Sequence, residues 1–230
     1  AVMNSTITIA DGTVYFIESR QQHSAGAAAR RPLEATLRDQ YLVALDVESG
    51  QVRWEKPFDF SPCQFMTYVC HAAGKLIVTG TNKEKVFHTY AFDADAGQLV
   101  WEDNAKARKL HHSGHLAHPT IVGDRLYFNK LTYDLHTGDI LKEDDFDWHG
   151  CGVMAASNYT IFSRFEFHGM HDLLTDERLE FLGLRSGCWY NIIPSGGLLL
   201  APEMSSGCSC AHSLQTSAAF IPRAAAGSKP

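Results

Sequence analysis

Two stretches of the chain carry nearly the same phrase: ALDVESGQVRWE at Ala44–Glu55 and AFDADAGQLVWE at Ala91–Glu102. They stand forty-seven positions apart, and a period of that length marks one supersecondary unit used several times. In each copy an alternating apolar run ends at Asp (Asp46, Asp93), Gly follows four residues on (Gly50, Gly97), and Trp four residues later (Trp54, Trp101). A third copy keeps Asp134 and Gly138 but has Lys142 in the Trp place; a fourth, HDLLTDERLE, keeps only Asp172. Asp accepts hydrogen bonds from the turn backbone, Gly supplies positive φ, and an indole covers a broad face between neighbouring sheets. The repeating unit is a hairpin, not a helix.

Paired strands fill the intervals. ITIADGTVYFIES turns at Asp11–Gly12, FMTYVCHAAGKLIVTG at Ala73–Gly74, HPTIVGDRLYFN at Gly123–Asp124 and YNIIPSGGLLLAP at Ser195–Gly197. Val, Ile, Tyr and Phe flank these turns, as strands prefer. Joined together they give an all-β chain of five units of four antiparallel strands, beginning near residues 4, 65, 118, 150 and 188. Sheets of that kind at that period are the blades of a β-propeller. Residues 1–223 form the blades. Residues 20–40 interrupt the first as a surface loop with a short helix at Pro32–Arg38, and residues 224–230 make a flexible tail.

Composition narrows the function. The chain has 230 residues, 45% hydrophobic and 20% charged, enough for a sizeable core. A net charge of −6 argues against a nucleic-acid partner. No apolar run approaches the roughly 20 residues of a membrane span, and residues 1–10 lack the basic start and long apolar middle of a secretory signal. The six cysteines, Cys63, Cys70, Cys151, Cys188, Cys208 and Cys210, show no C-x-x-C spacing. Disulfides are the expectation, with a periplasmic or secreted location. Cys151 and Cys188 would pair with the two cysteines of GCSC; a Cys/His metal site that also uses His212 competes with this. Cys63 and Cys70 suit buried thiols or one further bridge equally.

The phrase Ala-x-Asp-x-x-x-Gly-x-x-x-Trp resembles the tryptophan-docking motif of pyrroloquinoline-quinone-type propellers. That family holds eight-bladed quinoprotein alcohol dehydrogenases and a quinone-free lipoprotein of outer-membrane assembly. The last unit, GCWYNIIPSGGLLLAPEMSSGCSC followed by LQTSAAF, is similar to the tails of large bacterial propellers of this class. It runs out after three strands, with SLQTSAAFIPR as the third, whereas such rings close by borrowing an outer strand from the other end of the chain. Residue 1 leads almost directly into an inner strand. The resemblance therefore implies five blades of an eight-bladed ring, completed by an N-terminal half or a partner chain; a small five-bladed ring is the alternative. The quinone enzymes carry a Cys-Cys dipeptide, which is absent here, so the quinone is not expected. Trp189 is the candidate for a cofactor floor.

Polar residues gather in the loops leading into inner strands. LHHSGHLAHP carries His111, His112, His115 and His118; FDWHGCG carries Asp147, His149 and Cys151; RSGCWYN carries Arg185, Cys188, Trp189 and Tyr190. In a propeller these loops share one mouth. Imidazole and thiolate suit copper, zinc or iron, so His112, His115, His118 and His149 are candidate ligands for a transition metal or haem. Histidines satisfied structurally are the competing reading. Resemblance to propeller polysaccharide lyases offers a third, in which His115, His149, Tyr190 and Arg185 abstract a proton beside a uronate carboxylate. The acidic run KEDDFD, Lys142–Asp147, reads as a solvated loop. Three functions follow: a metal- or haem-bearing propeller in oxidation or electron transfer, a scaffold binding an envelope protein, and an enzyme acting on polysaccharide.

Overall fold

A computed structural model describes residues 1–21, 38–64, 66–82, 84–106, 117–143, 151–165, 167–187, 192–203 and 214–222. The expected helix at Pro32–Arg38 and nearly all of the 20–40 loop lie outside these residues.

The described chain is strand throughout, apart from a 3-10 turn at Asn4–Thr6. The first sheet holds β1 (Thr8–Ala10), β2 (Thr13–Ser19), β3 (Gln40–Asp46) and β4 (Val52–Pro57) in chain order. The second holds β5 (Thr67–Ala72), β6 (Lys75–Thr81), β7 (Val86–Asp93) and β8 (Leu99–Lys106). The third holds β9 (Thr120–Val122), β10 (Arg125–Phe128), β11 (Leu131–Asp134) and β12 (Ile140–Glu143). The fourth holds β13 (Ala155–Ala156), β14 (Thr160–Phe165), β15 (Phe167–Asp172) and β16 (Arg178–Phe181). The fifth has three strands: β17 (Ile193–Ser195), β18 (Leu198–Ala201) and β19 (Ala218–Phe220). Every sheet is an antiparallel meander, the form of a propeller blade. Lys142 and Glu143 of the acidic run belong to β12, not to a loop.

Local chemistry sets these hairpins. Two-residue turns that match strand twist need positive φ at both positions. Asp11 and Gly12 take 47° and 70°, Ala73 and Gly74 take 47° and 70°, and Gly196 and Gly197 take 57° and 78°. Between the third and fourth strands the Asp-turn recurs. Asp46 Oδ1 accepts from the Ser49 N–H at 2.9 Å, Asp93 Oδ1 from Ala96 at 2.7 Å, and Asp172 Oδ1 from Thr175 at 3.0 Å. The fourth copy, eroded in sequence, thus keeps the same turn.

The chain forms two compact units, Ala1–Arg108 with Leu135–Asp139, and Lys109–Asp134 with Ile140–Pro230. In the first unit, Tyr15, Ile17, Leu42, Leu76, Val78 and Phe92 make the core between two sheets. Phe58 meets Tyr90 and Phe92 edge-on, with centroids 5.1 and 5.0 Å away. The second unit has a core of Phe162, Leu184, Ile192 and Leu199 and a separate cluster of Tyr127 and Ile161 with Val122 and Met154 against it.

The indoles dock as the repeat requires. Trp54 Nε1 donates to the Ala94 carbonyl and Trp101 Nε1 to the Leu135 carbonyl, each at 3.0 Å. A methyl group on Gly97 would meet Trp54 Cε3 at 2.6 Å, and one on Gly138 would meet Trp101 Cδ2 at 2.6 Å. These two glycines are needed because the preceding sheet's indole lies against them. Where Lys142 replaces the indole, Asp176 replaces the glycine, and Lys142 Nζ lies 3.7 Å from Asp176 Oδ1.

Candidate functional site

Two of the candidate residues fall in the described chain, His118 and Arg185. His112, His115, His149, Trp189 and Tyr190 lie outside it. So do His111, Asp147, Cys188, Cys208, Cys210 and His212. Among the described residues no three of His, Cys, Asp and Glu gather closely enough to hold a metal ion.

His118 stands two residues before β9. The residue is exposed, and the partial desolvation it does meet lowers the imidazole pKa.

Arg185 belongs to a polar cluster inside the second unit. It is 2% exposed, and Arg164, His168 and Ser186 are 3%, 4% and 1% exposed. Strand register builds the cluster. Arg164 on β14 is the cross-strand partner of His168 on β15, so both side chains share one face of the sheet. The His168 N–H donates to the Leu184 carbonyl at 3.1 Å, which brings Arg185 and Ser186 alongside. Arg164 Nη1 donates to the Cys151 carbonyl at 2.9 Å. Ser186 Oγ and His168 Nε2 share a hydrogen bond of 2.6 Å.

The electrostatics follow from that geometry. Burial first, then the positive charge of Arg164 and, more weakly, of Arg185, brings the His168 pKa down to about 4. At neutral pH the ring is uncharged beside two guanidinium groups. The Ser–His contact has the spacing of an activated nucleophile. An imidazole this weakly basic, in a pair this enclosed, serves instead to hold the start of the fifth sheet against the fourth. Arg164 and His168 escape a reading by motif because they lie inside strands. The available signal was a charged residue at a core-facing position of FSRFEFH.

For Cys63 and Cys70 the structure shows the buried-thiol alternative, while the partners expected for Cys151 lie outside the described residues. No disulfide joins any two of the described cysteines, Cys63, Cys70 and Cys151. Cys63 is 1% exposed in the first unit's core. Cys70 Sγ faces the Ile77 carbonyl at 3.8 Å across its own hairpin. Burial pushes both thiols up to about 12, so each behaves as a small apolar side chain rather than a redox group.

An apolar groove of about 790 Å³ opens between the fourth and fifth sheets. Met170, Leu179 and Phe181 line one wall, and Leu198, Phe220 and Ile221 the other. Phe181 and Phe220 stack at its base, with centroids 5.0 Å apart. Register explains what Leu179 does there. In the second sheet Trp101 pairs with Ala91 across a bulge, and in the third Lys142 pairs with Thr132 across another. The fourth sheet has no bulge, and Leu179 pairs with Met170, which holds the place of Ala91 in the repeat. Leu179, not Glu180, therefore occupies the docking position, and it remains 56% exposed.

Meander sheets linked by docked indoles define a β-propeller of the pyrroloquinoline-quinone repeat class. A family described as outer membrane protein assembly factor BamB matches residues 9–145, and the chain belongs to that family. BamB from Moraxella catarrhalis superposes with a TM-score of 0.53 at 12% identity, over 85% of this chain and 54% of that one. A europium-containing methanol dehydrogenase gives 0.45 at 12% identity, over 76% and 41%. The Pan2 WD40 domain of Neurospora crassa gives 0.47 at 11%, over 85% and 54%. The chain thus spans about half the length of these structures. No curated protein matches it. Among the described residues no helix is long and apolar enough to cross a membrane.

Proposed function

We propose that this chain is a protein-binding scaffold of the cell envelope, acting in outer-membrane protein assembly, and not a redox or polysaccharide-cleaving enzyme. The family match over residues 9–145 carries the proposal, because it falls on the docking repeats that make the blades rigid. The apolar groove supports it. Exposed apolar surface with a polar surround is how a soluble scaffold holds a partner, and Leu179, Leu198 and Ile221 are all exposed there. The metal, haem and lyase readings draw, apart from His118 and Arg185, on residues outside the described chain.

The test is genetic. Deleting the gene in its native bacterium lowers the amount of β-barrel protein in the outer-membrane fraction, and a tagged chain fractionates with the envelope. Unchanged outer-membrane protein levels, or a tagged chain in the cytosol, would overturn the proposal.

A further inference from the structure

We infer that a polar cavity in the first unit binds a hexopyranose unit of a glycan through its hydroxyl groups. The inference goes beyond the scaffold reading and does not depend on it.

The cavity measures about 690 Å³, within the usual range for a small-molecule site. It opens where the loop joining β4 to β5 passes the start of β3. Its walls include Arg38, Asp39, Phe58, Asp59, Ser61 and Gln64. Local bonds shape that loop and tie it down. Asp59 Oδ1 accepts from the Ser61 N–H at 2.9 Å. Gln40 Oε1 accepts from the Phe60 N–H at 2.9 Å, and the Phe58 N–H donates to the Gln40 carbonyl at 3.1 Å. Phe58 is half-buried, and edge contacts with Tyr90 and Phe92 set its ring.

Three polar groups in the wall have no structural use. Gln64 Oε1 is shielded from solvent yet has no hydrogen-bond partner among the described residues. Shielded polar atoms are nearly always paired, and exchanging the two ends of the amide would leave an orphan donor in its place. Arg38 is anchored through its carbonyl, which accepts from Ser19 Oγ at 2.8 Å, while its guanidinium is exposed and pairs with nothing among the described residues. The Asp39 carboxylate is likewise unpaired, on a backbone with φ of 51°, a region that few residues other than glycine adopt.

The chemistry of the wall selects the ligand. Asp39 and Asp59 accept hydrogen bonds, Arg38 donates them, and the Gln64 amide and Ser61 hydroxyl do both. A lone cation would meet Arg38, and a lone anion would meet two carboxylates. Sugar hydroxyls donate and accept, so one pyranose ring satisfies both kinds of group, and its C–H face has Phe58 to lie against.

The probes are the methyl glycosides of glucose, galactose and mannose, each titrated against the 230-residue chain. Saturation-transfer NMR reads binding, and the Gln64 side-chain amide signals report its place. At least one glycoside binds saturably, with a Kd of about 1 mM, and moves those signals. Gln64→Leu removes the orphan atom, so it folds at least as stably and weakens binding about tenfold or more. Asp39→Gly suits the left-handed backbone, keeps or raises the melting temperature, and weakens binding likewise. No saturable binding by any of the three glycosides overturns the inference, as does binding that Asp39→Gly leaves unchanged. Binding of methylguanidinium in place of the glycosides also overturns it, and assigns the cavity to a basic side chain of a partner protein. The scaffold reading stands or falls separately, on outer-membrane protein levels.

Discussion

Gly50 and Gly97 hold the same place in successive turns, with φ of 68° and 66°, yet they answer to different constraints. A methyl group on Gly50 meets nothing within 4 Å, whereas one on Gly97 meets the Trp54 ring at 2.6 Å. Gly50→Ala therefore costs only the left-handed backbone, about 1 kcal/mol. Gly97→Ala also displaces an indole from its socket and costs about 3 kcal/mol. Urea unfolding of the two variants separates these effects, and equal losses would mean the docked indole contributes little. His168 yields a second residue-scale prediction. Its folded pKa of about 4 lies below the ordinary 6.5, so the unfolded chain binds the extra proton first as pH falls. The stability in question is complete above pH 6.5 and is lost progressively between 6.5 and 4, by roughly 2–3 kcal/mol. His168→Gln should flatten that part of the stability–pH curve in denaturant titrations; an unchanged slope would show that the ring titrates normally.

At the scale of the element, the Asp-turn was plain in the sequence and its partner was not. The spacing from Asp46 to Trp54 and from Asp93 to Trp101 is a local signal, and it gives the turn and the indole together. The bulge is set by pairing between strands, which is why counting eight residues from Asp172 falls on Glu180 while the structure puts Leu179 in the docking place. The exchange of Trp and Gly for Lys142 and Asp176 was half visible. The lysine stood out in the third copy, but its partner lies in the next sheet's turn, beyond any local count. Asp176 also accepts from His171 at 2.6 Å, and this bond first, then the Lys142 charge, holds its carboxyl below the usual range. Both side chains of the Lys142–Asp176 pair are largely exposed, and such pairs contribute little. Restoring the socket tests the idea. Lys142→Trp combined with Asp176→Gly should melt roughly 3–5 °C above either single variant, because the indole needs the bare glycine to lie flat. A double variant no more stable than the singles would show that the fourth turn cannot receive an indole.

For the whole molecule, the same packing logic predicts where the fold gives way first. Repeat architectures gain stability from each unit and from the interface with its neighbour. The second sheet has both. Trp54 docks on its turn, Trp101 reaches from its fourth strand to Leu135, and β6 is buried along nearly its whole length. The fifth sheet has three short strands and an exposed groove on one side. This contrast was legible early, since SLQTSAAFIPR marked the third and last strand of that unit, whereas the buried set of Arg164, His168, Arg185 and Ser186 was not. Those four come from two strands and the loop after β16, brought together only by register. Local opening free energies track buried contacts, so amide exchange should be slowest in β6 and β7 and fastest in β17 to β19. Mass spectrometry of peptic fragments measures both. Equal exchange rates in β6 and in β18 would instead show that the sheets open together as one cooperative unit, with no added stability from the docked indoles.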